Sequence, residues 1–190
     1  KFGFFFAKGY RGADLPTVTV RVPLDVQVIA DGAVIGQIGP SRNLTLRQER
    51  CGDWKVGDVA GRFDLTLEGM GDINGGNVGD ARISLAGMGD VNLRAIRSLD
   101  ADLAGMGDLD VVSVNGPVDI SLAGMGDVDI KGGHATLFRA RLSGMGDLDF
   151  GGVADTVDAS ADGMGDISVA KATGEVRTGK SGIGKVHVGR

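Results

Sequence analysis

The chain has 190 residues, 34 of them glycine, and a formal net charge of −5. The acidic balance and the scattered Lys and Arg residues exclude a basic surface for nucleic acid. The glycines recur at fixed positions without an excess of proline, which argues against a disordered chain. No apolar run approaches the roughly 20 residues of a membrane-spanning helix.

The first element is a phenylalanine-rich segment, residues 1–16. It contains Phe2, Phe4, Phe5 and Phe6, four of the seven phenylalanines of the chain. This run lies outside any repeat and is too short to cross a bilayer. We therefore expect either a cap over one end of the fold or an anchor to a partner or membrane surface.

Residues 17–49 form the next section, in which apolar residues alternate in short runs. The runs include Val18 to Val22, Val26 with Val28, and Leu44 with Leu46, and they are interrupted by Pro23, Gly32 and Gly39-Pro40. Alternation at a period of two predicts strands, and Gly and Pro predict the breaks between them. We interpret this section as irregular leading coils of a domain that spans residues 17–190.

From residue 50 onward the sequence is dominated by the tetrapeptide Gly-Met-Gly-Asp. Six full copies begin at residues 69, 87, 105, 124, 144 and 163, so the motif recurs every 18 to 20 residues. Degenerate copies stand at Arg50-Cys51-Gly52-Asp53 and at Gly182-Ile183-Gly184-Lys185. A fixed period of this length indicates stacked structural repeats over residues 50–190.

Each period contains two alternating runs separated by the motif, which predicts strands and turns rather than helices. Stacked coils would pair each strand in parallel with its equivalent in the next coil, about 4.8 Å away. The predicted fold is thus an all-β parallel β-helix, and the preference of parallel crossovers favours a right-handed coil. Two aliphatic columns are predicted to fill its interior: Leu67, Leu85, Leu103, Leu122 and Leu142, and Ile73, Val91, Leu109, Val128, Leu148 and Ile167.

The methionine of the motif has two opposed interpretations. Hydrophobicity favours a buried ladder, whereas counting by twos from Leu85 to Val91 places Met88 outside. An exposed column would be an apolar interaction stripe, and thioethers could also ligate copper(I). The stripe consists of Met70, Met88, Met106, Met125, Met145 and Met164. Cys51 occupies the same column and is expected to be a buried structural thiol.

The aspartates of the motif would also form a column, in which neighbouring carboxylates repel one another. One interpretation is that each carboxylate accepts N–H bonds of the turn, and the other is Ca²⁺ held between coils. The candidate calcium ladder is Asp90, Asp108, Asp110, Asp127, Asp129, Asp147 and Asp149. A uniform ladder does not differentiate an acid from a base, and His134 and His187 have no Ser or Cys partner. We expect no catalytic residue, no enzyme activity and no cofactor.

A β-strand run followed by Gly-x-Gly-Asp and an aliphatic residue, repeated every 18–20 residues, resembles the bacterial GIN-domain proteins, the autotransporter adhesin head family. The likeness covers about residues 17–187 and includes a Val-Arg-Val-Pro opening at 20–23. Family members typically have Ser-Gly-Ser-Gly-Asp where this chain has Ala86-Gly-Met-Gly-Asp90. The resemblance implies a parallel β-helix in the bacterial cell envelope or outside it, with no catalytic residues. A family serine would also place the methionine position near solvent.

Together these features predict a non-enzymatic, adhesin-like binding or scaffolding module at the periplasm, the outer membrane surface or outside the cell. Its partner would be a protein or a glycan. One alternative is a structural subunit of an oligomer, filament or membrane complex that docks through the methionine stripe or the phenylalanine-rich segment, with a peripheral membrane contact there. Another is a calcium-stabilised repeat protein.

Overall fold

The computed structural model describes residues 18–190 and shows a β-solenoid of about nine turns, with no helix in that range. The predicted parallel β-helix is therefore confirmed. The predictions for Phe2, Phe4, Phe5 and Phe6 lie outside the described residues. The direction in which the coil winds stays a prediction.

Sixteen strands lie within the described residues. They are β1 (Asp25–Ala30), β2 (Gly36–Ile38), β3 (Asn43–Gln48), β4 (Trp54–Val56), β5 (Val59–Leu67), β6 (Ile73–Gly75), β7 (Val78–Leu85), β8 (Val91–Leu103), β9 (Leu109–Asn115), β10 (Val118–Leu122), β11 (Val128–Ile130), β12 (Gly133–Leu142), β13 (Leu148–Ala161), β14 (Ile167–Ala172), β15 (Val176–Lys180) and β16 (Val186–Val188). In the described residues no helix is long and apolar enough to cross a membrane.

Strand pairing follows the repeat. Each strand pairs in parallel with the strand one coil away. For example, Leu85 pairs with Leu103, and Leu103 pairs with Leu122. The equivalent residues after the motif pair in the same way, so that Val91 faces Leu109. A position in the repeat is therefore a straight column of side chains along the solenoid.

The interior is filled by the two predicted aliphatic columns, whose members are all buried. In the later coils the core also contains two aromatic residues. The rings of Phe138 and Phe150 are stacked, with centroids 4.9 Å apart and planes 14° from parallel. Burial of side chains of this kind stabilises the fold by roughly 1.5–3 kcal/mol each.

The valines that open the leading section do not form the strand that their alternation predicts. The first strand begins at Asp25, and Val18, Val20 and Val22 are exposed. Pro23 lacks the N–H that a strand ladder requires and restricts the residue before it. Alternation alone is therefore misleading at this end of the described chain.

The two glycines of the motif are required by the close stacking of corner backbones. A Cβ atom on Gly126 would lie 2.0 Å from the carbonyl oxygen of Gly107 in the preceding coil. Among the glycines of the six full copies, only Gly71 has a left-handed φ, at 136°. Close backbone approach, and not an unusual turn conformation, therefore explains why the repeat keeps glycine at both positions.

Candidate functional site

The methionine column lies on the outside of the solenoid. The six side chains are between 46% and 56% exposed, and the glycines on either side of each one face inward or are partly covered. Alternation by twos therefore continues through the corner, and the buried methionine ladder suggested by hydrophobicity does not form.

Backbone hydrogen bonds hold this column in register. The N–H of Met106 donates to the carbonyl oxygen of Gly87 at 3.1 Å, and the N–H of Met125 donates to that of Gly105 at 3.0 Å. The same bond recurs at the other four methionines at 3.0 Å, to Arg50 for Met70 and to the first motif glycine of the preceding coil for the rest. The methionine side chains are flexible thioethers, but the backbone positions that carry them are fixed one strand spacing apart.

The methionines form one side of an open groove of about 550 Å³ that runs along the solenoid. We call this surface the methionine groove. Its floor is glycine and its opposite side is a column of small residues. It is lined by Ala86, Ala104, Ala123 and Ser143, by Gly87, Gly105, Gly124, Gly144 and Gly163, and by Met88, Met106, Met125, Met145 and Met164. The floor is shallow because its glycines cannot carry a Cβ without striking the coil below.

Cys51 extends the methionine column toward the N-terminal coils. It forms an isolated parallel bridge with Met70, which bridges in turn to Met88. Its thiol is free and exposed, so the expectation of a buried structural cysteine is wrong. Cys51 occupies the same outward position of the repeat as the methionines, and this position explains why it is exposed to solvent.

The aspartates of the motif form a second outward column, two residues beyond the methionines. Each carboxylate accepts a hydrogen bond from the backbone N–H of the equivalent residue in the next coil. For example, Asp127 Oδ1 accepts from the N–H of Asp147 at 2.7 Å. Seven such bonds, of 2.7–3.3 Å, join Asp53, Asp72, Asp90, Asp108, Asp127, Asp147, Asp166 and Lys185 in sequence. The carboxylates thus connect neighbouring coils, beyond the local turn bonding that we expected.

The aspartate column ends at Lys185, which donates its backbone N–H to Asp166 but brings an ammonium group where the other coils have a carboxylate. Beside it is a shallow depression of about 420 Å³ lined by Asp147, Asp149, Asp166, Ile167, Ser168, Lys185 and His187. The positive charge of Lys185 offsets the repulsion among the last carboxylates of the column.

Substitutions at Asp127 test how this column contributes to stability. We expect Asp127→Ala to lower the free energy of unfolding by about 1–2 kcal/mol, because the N–H of Asp147 loses a charged acceptor. Asp127→Asn retains an acceptor oxygen and removes repulsion with two neighbours, so its loss should be smaller. Denaturation with urea at low and high salt measures both. Added salt should stabilise the wild-type protein more than the Asn variant, and an equal salt response would contradict repulsion within the column.

The residues of the calcium hypothesis divide between two columns. Asp90, Asp108, Asp127 and Asp147 belong to the hydrogen-bonded corner column, whereas Asp110, Asp129 and Asp149 pair in register on the adjacent strands. The Lys131 ammonium group contacts Asp129 and lies 3.8 Å from Asp110, and Asp129 raises the pKa of Lys131 above its ordinary value. Within residues 18–190 no three His, Cys, Asp or Glu side chains converge on a common point. The calcium ladder stays a prediction that this geometry does not support.

The histidines do not assemble a nucleophilic site. His134 Nε2 lies 2.8 Å from Asp155 Oδ1 on the exposed surface, and this contact lowers the pKa of Asp155 below its ordinary value. Thr173 lies 3.3 Å from the same carboxylate oxygen. His187 lies on β16 and lines the C-terminal depression, so it is not part of the contact between His134 and Asp155.

The repeat, the outward Gly-x-Gly-Asp corner and the parallel stacking can be compared with known families. The sequence profile of family DUF2807, described as "Putative auto-transporter adhesin, head GIN domain", matches residues 22–117. The chain belongs to this family. Neither the comparison with curated proteins nor that with solved structures found a match.

Membership of the GIN-domain family fits an adhesin-like binding module, and it suggests a location in the cell envelope or outside the cell. The family is an adhesin head family and not a known enzyme family. The matched range includes the copies of the motif that begin at residues 69, 87 and 105. The later copies continue the same columns, because Asp147 donates its backbone N–H to Asp127 and Asp166 donates its own to Asp147.

Two features of the site are absent from the sequence-based predictions. One is the column of small residues opposite the methionines, and the other is the exposure of Cys51. Both could be found by one rule, which is to count outward positions by twos through the motif. The column one residue before the four central motifs then appears as Ala86, Ala104, Ala123 and Ser143, on the same face as the methionines, with Glu68 and Asp162 before the first and last copies.

Proposed function

We propose that this GIN-domain protein is a non-enzymatic, adhesin-like binding module of the bacterial cell envelope that holds a protein partner in the methionine groove. The observation that carries the proposal is the half-exposed column of six methionines. The column is a contiguous exposed apolar surface with polar residues beside it, and such surfaces are the usual candidates for interaction sites. Methionine suits such a surface because its flexible thioether adapts to different partners.

The dimensions of the groove favour an extended segment of the partner. At the strand spacing, six coils give a methionine column about 24 Å long. The groove is three residue columns across, which makes it about 10 Å wide. That is about 240 Å² of surface, whereas a stable globular interface uses about 800 Å² from each partner. An extended apolar segment of about seven residues would cover the full length of the column.

A protein fits this groove better than a glycan. The lining is alanine, glycine and methionine, with one serine. Within the described residues all four aromatic side chains, Trp54, Phe63, Phe138 and Phe150, are buried. No aromatic face is therefore available there for stacking on a sugar ring, and the groove provides few directed hydrogen bonds.

Photo-crosslinking from the methionine positions tests this proposal. All six methionines of the chain lie in this one column, and five of them line the groove, so a diazirine analogue of methionine places the crosslinker along this surface. We expect irradiation with an envelope fraction to give one discrete heterologous protein adduct. That protein, once purified, should bind the wild-type chain at least about tenfold more tightly than Met106→Ser/Met125→Ser, because central interface residues dominate affinity.

The matched control is Met106→Leu/Met125→Leu, which keeps the apolar surface and should retain binding. Equal binding by the Ser and Leu variants would contradict docking in the groove. A crosslinked dimer of this chain as the main product would instead support the structural-subunit alternative. Light scattering on the wild-type protein and on the Ser variant distinguishes such a dimer from a monomer.

A further inference from the structure

Every sulfur atom of the chain belongs to a single outward column. The chain has six methionines and one cysteine, and all seven share the position after the first residue of the motif. Parallel bridges join Cys51 to Met70 and Met70 to Met88, and the later methionines repeat the same backbone bond. Of the eight positions in this column, seven carry sulfur, and the eighth, Ile183 in the last coil, is aliphatic. Docking on an apolar surface alone would not require sulfur at the other seven, which calls for a separate explanation.

The spacing of the column matches the geometry of a metal ion shared by two sulfurs. Neighbouring coils are about 4.8 Å apart along the column. In zinc–cysteine sites the metal–sulfur bond is about 2.3 Å, and two bonds of that length span about 4.6 Å when they are collinear. Because the backbone positions are fixed and the methionine side chains are flexible, adjacent thioethers can close on one ion, and a third can approach from the next coil.

The ligand chemistry selects a soft cation. Thioether and thiolate ligands favour copper(I), whereas hard cations such as calcium and magnesium prefer oxygen. Cys51 adds an ionisable thiol at one end of the column. The aspartate column runs parallel to the sulfurs, two residues along the chain, and its negative charge favours a cation there without requiring a carboxylate in the coordination sphere.

We propose that the sulfur column formed by Cys51 and the six methionines binds copper(I), with each ion held between successive coils. The site is independent of the proposed docking role, because it requires sulfur where docking requires apolar surface. Binding involves no oxidation or reduction, since the ion enters and leaves as copper(I) and the thioethers remain neutral.

Competition for copper(I) tests the site directly. The full chain is titrated without oxygen into the copper(I) complex of bicinchoninate, and we expect the wild-type protein to withdraw the metal. Met106→Leu/Met125→Leu should lower the number of copper(I) ions withdrawn per chain, because it removes the sites between Met88 and Met145 and leaves those at the two ends of the column. Cys51→Ser should weaken binding at the N-terminal end of the column and leave the sites formed by Met106 to Met164 intact.

Silver(I) provides a second measurement that does not depend on redox chemistry or on a variant that must fold. With methyl-labelled methionine, addition of silver(I) to the wild-type protein should shift the methyl signals of the column. Unshifted methyl signals, or an equal number of copper(I) ions bound by the wild-type protein and the Leu variant, would overturn the proposal. Since Met106→Leu/Met125→Leu should keep its protein partner, loss of metal binding and loss of docking are separable results.

Discussion

Replacing Gly126 with alanine is expected to lower the free energy of unfolding by at least about 3 kcal/mol. The new Cβ would lie 2.0 Å from the Gly107 carbonyl oxygen and 2.7 Å from its carbon. Both atoms belong to the backbone of the preceding coil, so no side chain can rotate away to relieve the contact. The coils must separate at this corner, which weakens the neighbouring hydrogen bonds and the packing beneath them.

The chain offers a matched control for this substitution in Gly132. A Cβ built there meets nothing within 4 Å, so Gly132→Ala should change the free energy of unfolding by no more than about 0.5 kcal/mol. Urea denaturation followed by circular dichroism compares the two variants with the wild-type protein. Similar losses for both would refute close coil stacking as the reason for glycine at the corner.

Phe138→Ala is expected to destabilise the protein by about 3–5 kcal/mol. Phe138 is fully buried, and its ring stacks on that of Phe150 at a centroid distance of 4.9 Å. The substitution leaves a cavity in the middle of the later coils and removes that aromatic contact. Because contacts in a solenoid are mainly between neighbouring coils, the loss should be concentrated in the coils that contain β10 to β13.

Hydrogen exchange measures this local effect, since amides of β10 to β13 should lose protection before those of β3 and β5. Phe138→Leu, which fills most of the volume, should lose less than about 1.5 kcal/mol. Val112 is exposed, and Val112→Ala serves as a surface control. Uniform loss of protection along the whole solenoid would show that the coils unfold as one unit and would contradict a local effect.

Most of the fold is predictable from the period and the alternation of the sequence. The Leu85, Leu103 and Leu122 column is buried as expected, because a fixed repeat turns each position into a column and a strand has only two faces. The failure at Val18 to Val22 has a different origin. Local alternation does not reveal whether the segment has a pairing strand beside it, and within residues 18–190 strand pairing begins at Asp25.

The site is only partly predictable. Counting by twos places Met88 outside, whereas hydrophobicity places it inside, and the sequence alone does not say whether alternation continues through a corner. It continues because the flanking glycines let successive corner backbones stack in register. Cys51 follows the same rule, although burial is the more common environment of an unpaired cysteine. The coil-to-coil bonds of the aspartates depend on register, which local turn chemistry does not include.

The bonds of the aspartate column all have the same direction along the solenoid. Each carboxylate accepts the N–H of the coil that follows it, so a coil added at the C-terminal end would need an acceptor on the last existing coil. That position holds the ammonium group of Lys185, which donates hydrogen bonds and cannot accept them. A coil stacked beyond the one that carries Lys185 would thus lack the carboxylate bond that joins the preceding coils, so Lys185 interrupts the hydrogen-bonded column at this position.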